Sequence, residues 1–192
     1  VDVWEVIEAA RTKPFGFMAF YPGPGTGGHC IPVDPQYLAW KMQTLDYDSR
    51  FVRLSMEINN SMPKYVFDRI SRLFEDQGQV VRGSSIVILG VSYKEDIGDT
   101  RESPALELLR LFIHEGADVA YHDPYVPELV IGDHHLSSIS LTQENLQTVD
   151  CVVIVTPHST IDWDLVIEKS KLIIDTRNVT KGIDGQANIT KL

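Results

Sequence analysis

The sequence predicts an α/β protein in which a helical first part, residues 1–82, precedes a doubly wound parallel sheet over residues 83–192. Two observations carry this. After Gly83, short apolar runs rich in β-branched residues alternate with helical stretches, as parallel strands joined by crossover helices do. Before Gly83 the apolar residues fall mainly at helical spacing.

Val1 to about Lys13 reads as a helix that ends before Pro14. Phe15 to Pro35 follows as a loop dense in Gly and Pro, with aromatic and aliphatic residues on both sides that argue against a plain linker. Tyr37 to Thr44 is predicted helical. Phe51 to about Asp76 carries Leu54, Ile58, Met62, Tyr65, Val66, Ile70, Leu73 and Phe74 on one helical stripe, interrupted by Pro63. Such a stripe is expected to serve as core or subunit interface, and a homodimer through these helices is the expected use.

Ser85 to Gly90 is the first predicted strand. Pro104 to His114 is a helix with Ser103 as N-cap and Pro104 at its first position. Strands are expected at Asp118–His122, Cys151–Val155 and Leu172–Asp175, with a helix at Asp162–Lys169. This order implies a Rossmann-like sheet, whose ligands lie at the C-terminal ends of the strands. Tyr93, Lys94 and Arg101 follow the first strand and fall there. The turn Leu89-Gly90-Val91-Ser92-Tyr93-Lys94 does not match the dinucleotide fingerprint G-x-G-x-x-G.

With 192 residues, 43% of them hydrophobic, the chain buries a substantial core. Its formal net charge of −10 argues against nucleic acid or an anionic membrane as a partner, since both select basic patches. No apolar run approaches the roughly 20 residues of a spanning helix. The first residues have no basic stretch or cleavage site of a signal peptide, and the chain opens without methionine inside a helix, so a piece of a longer cytoplasmic protein is expected. The sparse cysteines, Cys30 and Cys151, are expected reduced, with Cys151 a buried hydrophobe.

Cys30 follows two glycines and precedes Ile31-Pro32, a setting that holds a thiol in a defined and partly exposed position. Thiolates are the strongest side-chain nucleophiles near neutral pH. Asp34 lies four residues on, placed to orient a water or a cation if the loop passes into a helix. An inert thiol and a cysteine hydrolase are the competing readings, but His29 is a poor base because consecutive side chains generally point apart. Lys94 and Arg101 have acidic neighbours, so solvated ion pairs compete with anion binding before the next helix. Arg177, after the last predicted strand, has the same anion-binding argument in weaker form. His122, His134, His135 and His158 show no metal-ligand spacing, and His134-His135 reads as a solvated loop pair.

The run from Phe17 through Gly27-Gly28-His29-Cys30-Ile31-Pro32-Val33-Asp34-Pro35 resembles the active-site loop of the UDP-glucose/GDP-mannose dehydrogenase family. Within it, the UDP-N-acetylglucosamine 6-dehydrogenases of polysaccharide pathways are the most similar. Tyr93 to Pro104 resembles the start of the family's C-terminal domain, and Tyr121 to Pro127 and Val155 to His158 continue the match in order. The resemblance implies two successive NAD-dependent oxidations at C6 of a UDP-sugar through a cysteine thiohemiacetal and thioester. By carry-over Cys30 is the nucleophile and Asp34 organises the hydrolytic water. Phe20, Tyr21, Gly25 and Gly27 would line the sugar-nucleotide pocket, Tyr93, Lys94 and Arg177 would contact the UDP-sugar, and Arg101 would reach NAD. The family's NAD-binding domain is not among these residues, so the chain alone is expected not to turn over. A non-catalytic nucleotide-sugar-binding or dimerisation module is the alternative.

Overall fold

The computed structural model describes residues 1–183 and 188–191. Helix α1, Val3–Arg11, is capped by Asp2, whose carboxylate accepts from the Trp4 N–H at 2.8 Å. Helix α2, Cys30–Gln43, begins seven residues earlier than the sequence predicted. Pro32 and Pro35 read as breakers, but Pro32 sits in the first turn, where its missing N–H would have no helical partner. The loop therefore ends at His29, and Cys30 belongs to a helix.

Helix α3, Arg50–Asp76, contains Pro63. Its apolar stripe divides. Val66, Ile70 and Phe74 are buried, whereas Leu54, Ile58 and Tyr65 are exposed. The buried half packs on α4, Pro104–Glu115, with the Phe67 and Phe112 rings 5.2 Å apart. α4 has the predicted N-cap, Ser103, and closes on Gly116 in the left-handed conformation, at φ 86°.

Five parallel strands form the main sheet: β1 (Ser85–Leu89), β2 (Asp118–His122), β5 (Cys151–Ile154), β6 (Ile173–Asp175) and β7 (Ile189–Lys191), in the order β2-β1-β5-β6-β7. Side chains alternate between two cores, as the pleat requires. Ile86, Ile88, Cys151, Val153 and Ile174 face α3 and α4. Val87, Leu89, Val152, Ile154 and Ile173 face the other core, with α5 (Gln143–Thr148) and α6 (Trp163–Lys169). Both faces are covered, so the strands read as continuous apolar runs.

Three short elements were not anticipated: α5, the edge strand β7, and an antiparallel hairpin of β3 (Glu128–Ile131) and β4 (His134–Ser137). Its two-residue turn uses Gly132 at φ 58°. His134 and His135 are thus exposed strand residues and not a loop pair. Among the described residues no helix is long and apolar enough to cross a membrane.

Candidate active site

The sheet reverses its winding between β1 and β5, where an open α/β sheet leaves a crevice for a ligand. Here Gly90 and Thr156 meet at its base. Gly90, at φ 80°, packs so tightly that a Cβ would collide with the Thr156 carbonyl. The residues beyond β1 instead fold over the strand ends, and the glycine-rich loop lies upon them.

Gly27 and Gly28 make that contact. A Cβ on Gly27 would sit 2.5 Å from Tyr93 Cβ and 2.9 Å from the Glu102 carbonyl oxygen. One on Gly28 would meet the Tyr93 ring at 2.9 Å. With no side chain, the loop comes close enough for the Gly28 N–H to donate to the Arg101 carbonyl at 2.9 Å. Gly25 packs on Pro104 and on the carbonyl of Asn59, the acceptor that Pro63 leaves without a helical donor four residues on. Gly23-Pro24-Gly25-Thr26-Gly27-Gly28 has the G-x-G-x-x-G spacing, but no strand precedes it, so it lacks the context of a dinucleotide fingerprint.

This docking leads directly into Cys30, the first residue of α2, whose thiol is exposed. Asp34 follows one turn later on the same face, also exposed. His29 Nδ1 lies 4.0 Å from Cys30 Sγ, nearer than alternating side chains would place it but longer than a proton-transferring hydrogen bond.

Arg101 is clamped by Asp99: Nε donates to Oδ1 at 3.0 Å and Nη2 to Oδ2 at 2.6 Å. The hydrogen bonds from Arg101 hold the Asp99 carboxyl below its usual range. Reciprocally, the hydrogen bonds and charge of Asp99 raise the guanidinium, with smaller contributions from Tyr93 and Cys30. Nη1 makes no hydrogen bond among the described residues, and the side chain is 63% exposed, so a donor remains open toward solvent near the thiol. Lys94 is exposed and has no ion-pair partner among the described residues.

A second station lies along the loop. Arg177 is half-buried against Gly23 in a cavity of about 260 Å³ lined also by Trp4, Tyr21, Glu95 and Lys181. Burial pulls the guanidinium below its usual value, and the Glu95 and Asp175 charges only partly offset this. A desolvated cation with no ion pair among the described residues favours an anionic ligand. Tyr21 stacks on Trp4 with centroids 5.7 Å apart, donates to Glu8 at 2.8 Å and accepts from Arg11 at 3.3 Å. It therefore ties the loop to α1. Phe20 is 75% exposed and contributes to neither station's packing.

Gly23 at the second station and Gly27 at the first are four residues apart along the loop, at most roughly 14 Å. Sequence reasoning missed the Asp99 clamp and the Trp4–Tyr21 stack. The Asp-x-Arg spacing before a helix was the available sign of the first; nothing local marked the second. A cavity of about 670 Å³ lies beside the first turn of α2: Pro32, Val33, Tyr37, Trp40, Asn60 and Glu102 line it, and neither Cys30 nor Asp34 does. It belongs to the uncovered α2–α3 face. No group of three or more His, Cys, Asp or Glu that would hold a metal occurs among the described residues.

Comparison with known proteins identifies the family and the fold. Residues 87–182 match the model of the UDP-glucose/GDP-mannose dehydrogenase family, UDP binding domain, and residues 1–61 match the model of its central domain. A UDP-N-acetyl-D-mannosamine dehydrogenase of Methanococcus maripaludis is 32% identical over 187 residues, covering 93% of this chain and 41% of the relative. An NDP-N-acetyl-D-galactosaminuronic acid dehydrogenase of Ralstonia solanacearum is 31% identical over 183 residues, covering 93% of this chain and 41% of the relative. The solved UDP-D-ManNAc dehydrogenase of Pyrococcus horikoshii superposes with a TM-score of 0.80 at 29% identity, over 100% of this chain and 43% of that one. The chain thus spans about two fifths of the length of the curated relatives it matches.

Proposed function

Because the chain belongs to the UDP-glucose/GDP-mannose dehydrogenase family, we propose that it supplies the nucleophile and the UDP-binding surface of an NAD-dependent UDP-sugar 6-dehydrogenase. One observation carries the reading: Cys30 starts a helix, exposed, at the end of a loop seated by glycines on the segment that bears Tyr93 and Arg101. We place the boundary between the central helical region and the UDP-binding domain at residues 82 and 83.

NAD, when bound, would supply the hydride acceptor for each of two oxidations at the sugar C6. Arg101 is the residue of this chain that would meet it, because its open Nη1 donor and exposed charge suit an anionic group. Between the oxidations the Cys30 thiolate adds to the C6 aldehyde. The new S–C bond leaves a tetrahedral carbon whose hydrogen is poised to depart with its electron pair, giving a thioester. Water then adds to that carbonyl and the S–C bond breaks, regenerating the thiolate and releasing the carboxylic acid, whose proton passes to solvent to leave the carboxylate. Asp34, one turn from Cys30, orients this water and receives its proton. Arg177 and Lys94 hold the pyrophosphate, while Tyr21, Gly25 and Gly27 shape the loop around the nucleotide sugar. Phe20 is available to close over a ligand from its exposed position.

The loop around Cys30 favours UDP-N-acetylglucosamine as substrate, and the names of the relatives favour its manno epimer. The epimers differ at C2, away from the reacting C6, so both belong in the assay. Exposed Leu38, Trp40, Phe51, Leu54 and Ile58 support pairing of the α2–α3 face with a second copy, in a soluble cytoplasmic enzyme with reduced thiols.

Calorimetry with UDP tests the binding half. The chain is expected to bind UDP, and Arg177→Ala to weaken it by about tenfold or more, as loss of a charge-assisted contact does. In the longer protein that contains this chain, Cys30→Ser is expected to stop uronic acid formation. A wild-type chain indifferent to UDP, or a Cys30→Ser enzyme that still makes the acid, refutes the reading.

A further inference from the structure

Behind the site lies a polar cluster that the proposed chemistry does not use. His158 and Asp123 are both wholly buried, with His158 Nε2 2.9 Å from Asp123 Oδ2 and 3.2 Å from Ser92 Oγ. The other ring nitrogen, Nδ1, lies 2.9 Å from the backbone nitrogen of Asp96. A backbone N–H only donates, so Nδ1 is the acceptor and the ring proton sits on Nε2, directed at Asp123.

Asp123 directly follows β2 and His158 follows β5, the two strands that flank β1. Together they grip the chain as it leaves β1. Asp123 Oδ2 accepts from the Val91 and Ser92 N–H groups at 2.7 and 3.1 Å. Ser92 Oγ donates to the Lys94 carbonyl at 2.8 Å, and Thr156 Oγ1 donates to the Ser92 carbonyl at 2.6 Å. Asp96, at φ 61°, returns the tie: its Oδ1 accepts from the Ser159 N–H at 2.9 Å. The turn so fixed carries Tyr93, against which Gly27 and Gly28 dock, and Lys94.

We propose that His158 is a positioning residue: locked in its Nε2–H tautomer by Asp123, it holds the Val91–Asp96 turn so that Tyr93 and Lys94 meet the ligand. The proposal rests on the reading of the site given above. A pair of fully desolvated polar groups is retained at a cost in burial, and the backbone it holds is the backbone that the loop before Cys30 rests on. His158 touches no reacting atom; it acts through the turn.

Nitrogen-15 NMR of the wild-type chain decides the first part without a variant. The expected result is the Nε2–H tautomer at His158 with a slowly exchanging Asp96 amide. An Nδ1–H tautomer or a freely exchanging Asp96 amide overturns the proposal.

Two variants then separate the ring nitrogens. His158→Asn keeps an acceptor near the Nδ1 position, and His158→Gln keeps a donor near the Nε2 position. Asp96 protection should survive in the first and be lost in the second, with UDP affinity of the second falling about tenfold. Val166→Ala, in the core on the opposite face of the sheet, serves as a control that lowers Tm without moving UDP affinity. Retained UDP affinity in His158→Gln with an unprotected Asp96 amide overturns the proposal, as does an equal affinity loss in Val166→Ala. If the wild-type chain does not bind UDP, the site reading fails and the ligand-positioning part of the proposal fails with it; the tautomer and Asp96 exchange then decide only whether His158 holds the turn.

Discussion

Gly27→Ala isolates the contact that seats the nucleophile loop. The added methyl would lie 2.5 Å from Tyr93 Cβ, about 0.9 Å inside ordinary contact at 3.4 Å, and 2.9 Å from a backbone carbonyl. Neither atom is the far end of a flexible side chain, so the loop must lift. Overpacking of this kind costs about 1–3 kcal/mol, and the lift also strains the Gly28–Arg101 hydrogen bond, which contributes roughly 0.5–1.5 kcal/mol. The loop can detach without unfolding the sheet, so most of this appears as a loss of docking and only part as global stability. Per kcal/mol that does reach the global transition, Tm falls about 2–4 °C for a chain of this size. Hydrogen exchange at Gly28 is the direct assay: its amide should exchange at least tenfold faster in Gly27→Ala. Gly16→Ala is the control, since that glycine has a positive φ of 71° but nothing within 4 Å of a Cβ. It should carry backbone strain and leave Gly28 protection untouched. Unchanged Gly28 exchange in Gly27→Ala would refute the close-approach account of this loop.

Two further outcomes follow from buried groups. Burial alone would raise the Asp123 carboxyl, but hydrogen bonds from His158 and from the Val91, Tyr125 and Ser92 N–H groups hold it below its usual range. A depressed carboxyl contributes stability that is complete above the unfolded pKa near 3.8 and lost as pH falls through the lower folded value. Asp123→Asn should therefore cost about 1.5–3 kcal/mol at pH 7, as loss of hydrogen bonds to a charged group does, and denaturant melts should show the gap to wild type closing below about pH 4. A gap independent of pH would contradict the assignment. Of the two cysteines, Cys30 is exposed, whereas burial pushes the Cys151 thiol far above its usual range. A thiol-reactive disulfide reagent should therefore titrate one thiol in the native chain and two in guanidinium; two fast native thiols would show that β5 is not packed as described.

The parts of the fold that were legible share one property: their signals are local. Ser103-Pro104 and Gly116 bracket α4 because caps act within one turn. The β-branched runs at β1, β5 and β6 identify buried parallel strands because both sheet faces are covered. Where a local signal misled, a second local rule competed: Pro32 and Pro35 argued for a loop, and helical geometry absorbed them into α2. The hairpin at Glu128–Ser137 has an ordinary turn, but its strands are four residues long and half exposed, too short for periodicity to show.

From the sequence by itself came the alternation of strands and helices, the glycine-rich loop that ends at Cys30, and the family to which these residues belong. Tertiary structure alone decided which half of the α3 stripe is core, that Gly90 packs against Thr156 at the switch point, and that Arg101 is clamped by Asp99. It alone decided, too, that His158 and Asp123 meet beneath the turn that bears Tyr93. Those two residues are 35 apart in the chain, and His158 lies 66 residues from Ser92. Spacing and composition report only what neighbours along the chain do to one another. Hydrogen bonds between the ends of parallel strands exist only once the crossovers have folded.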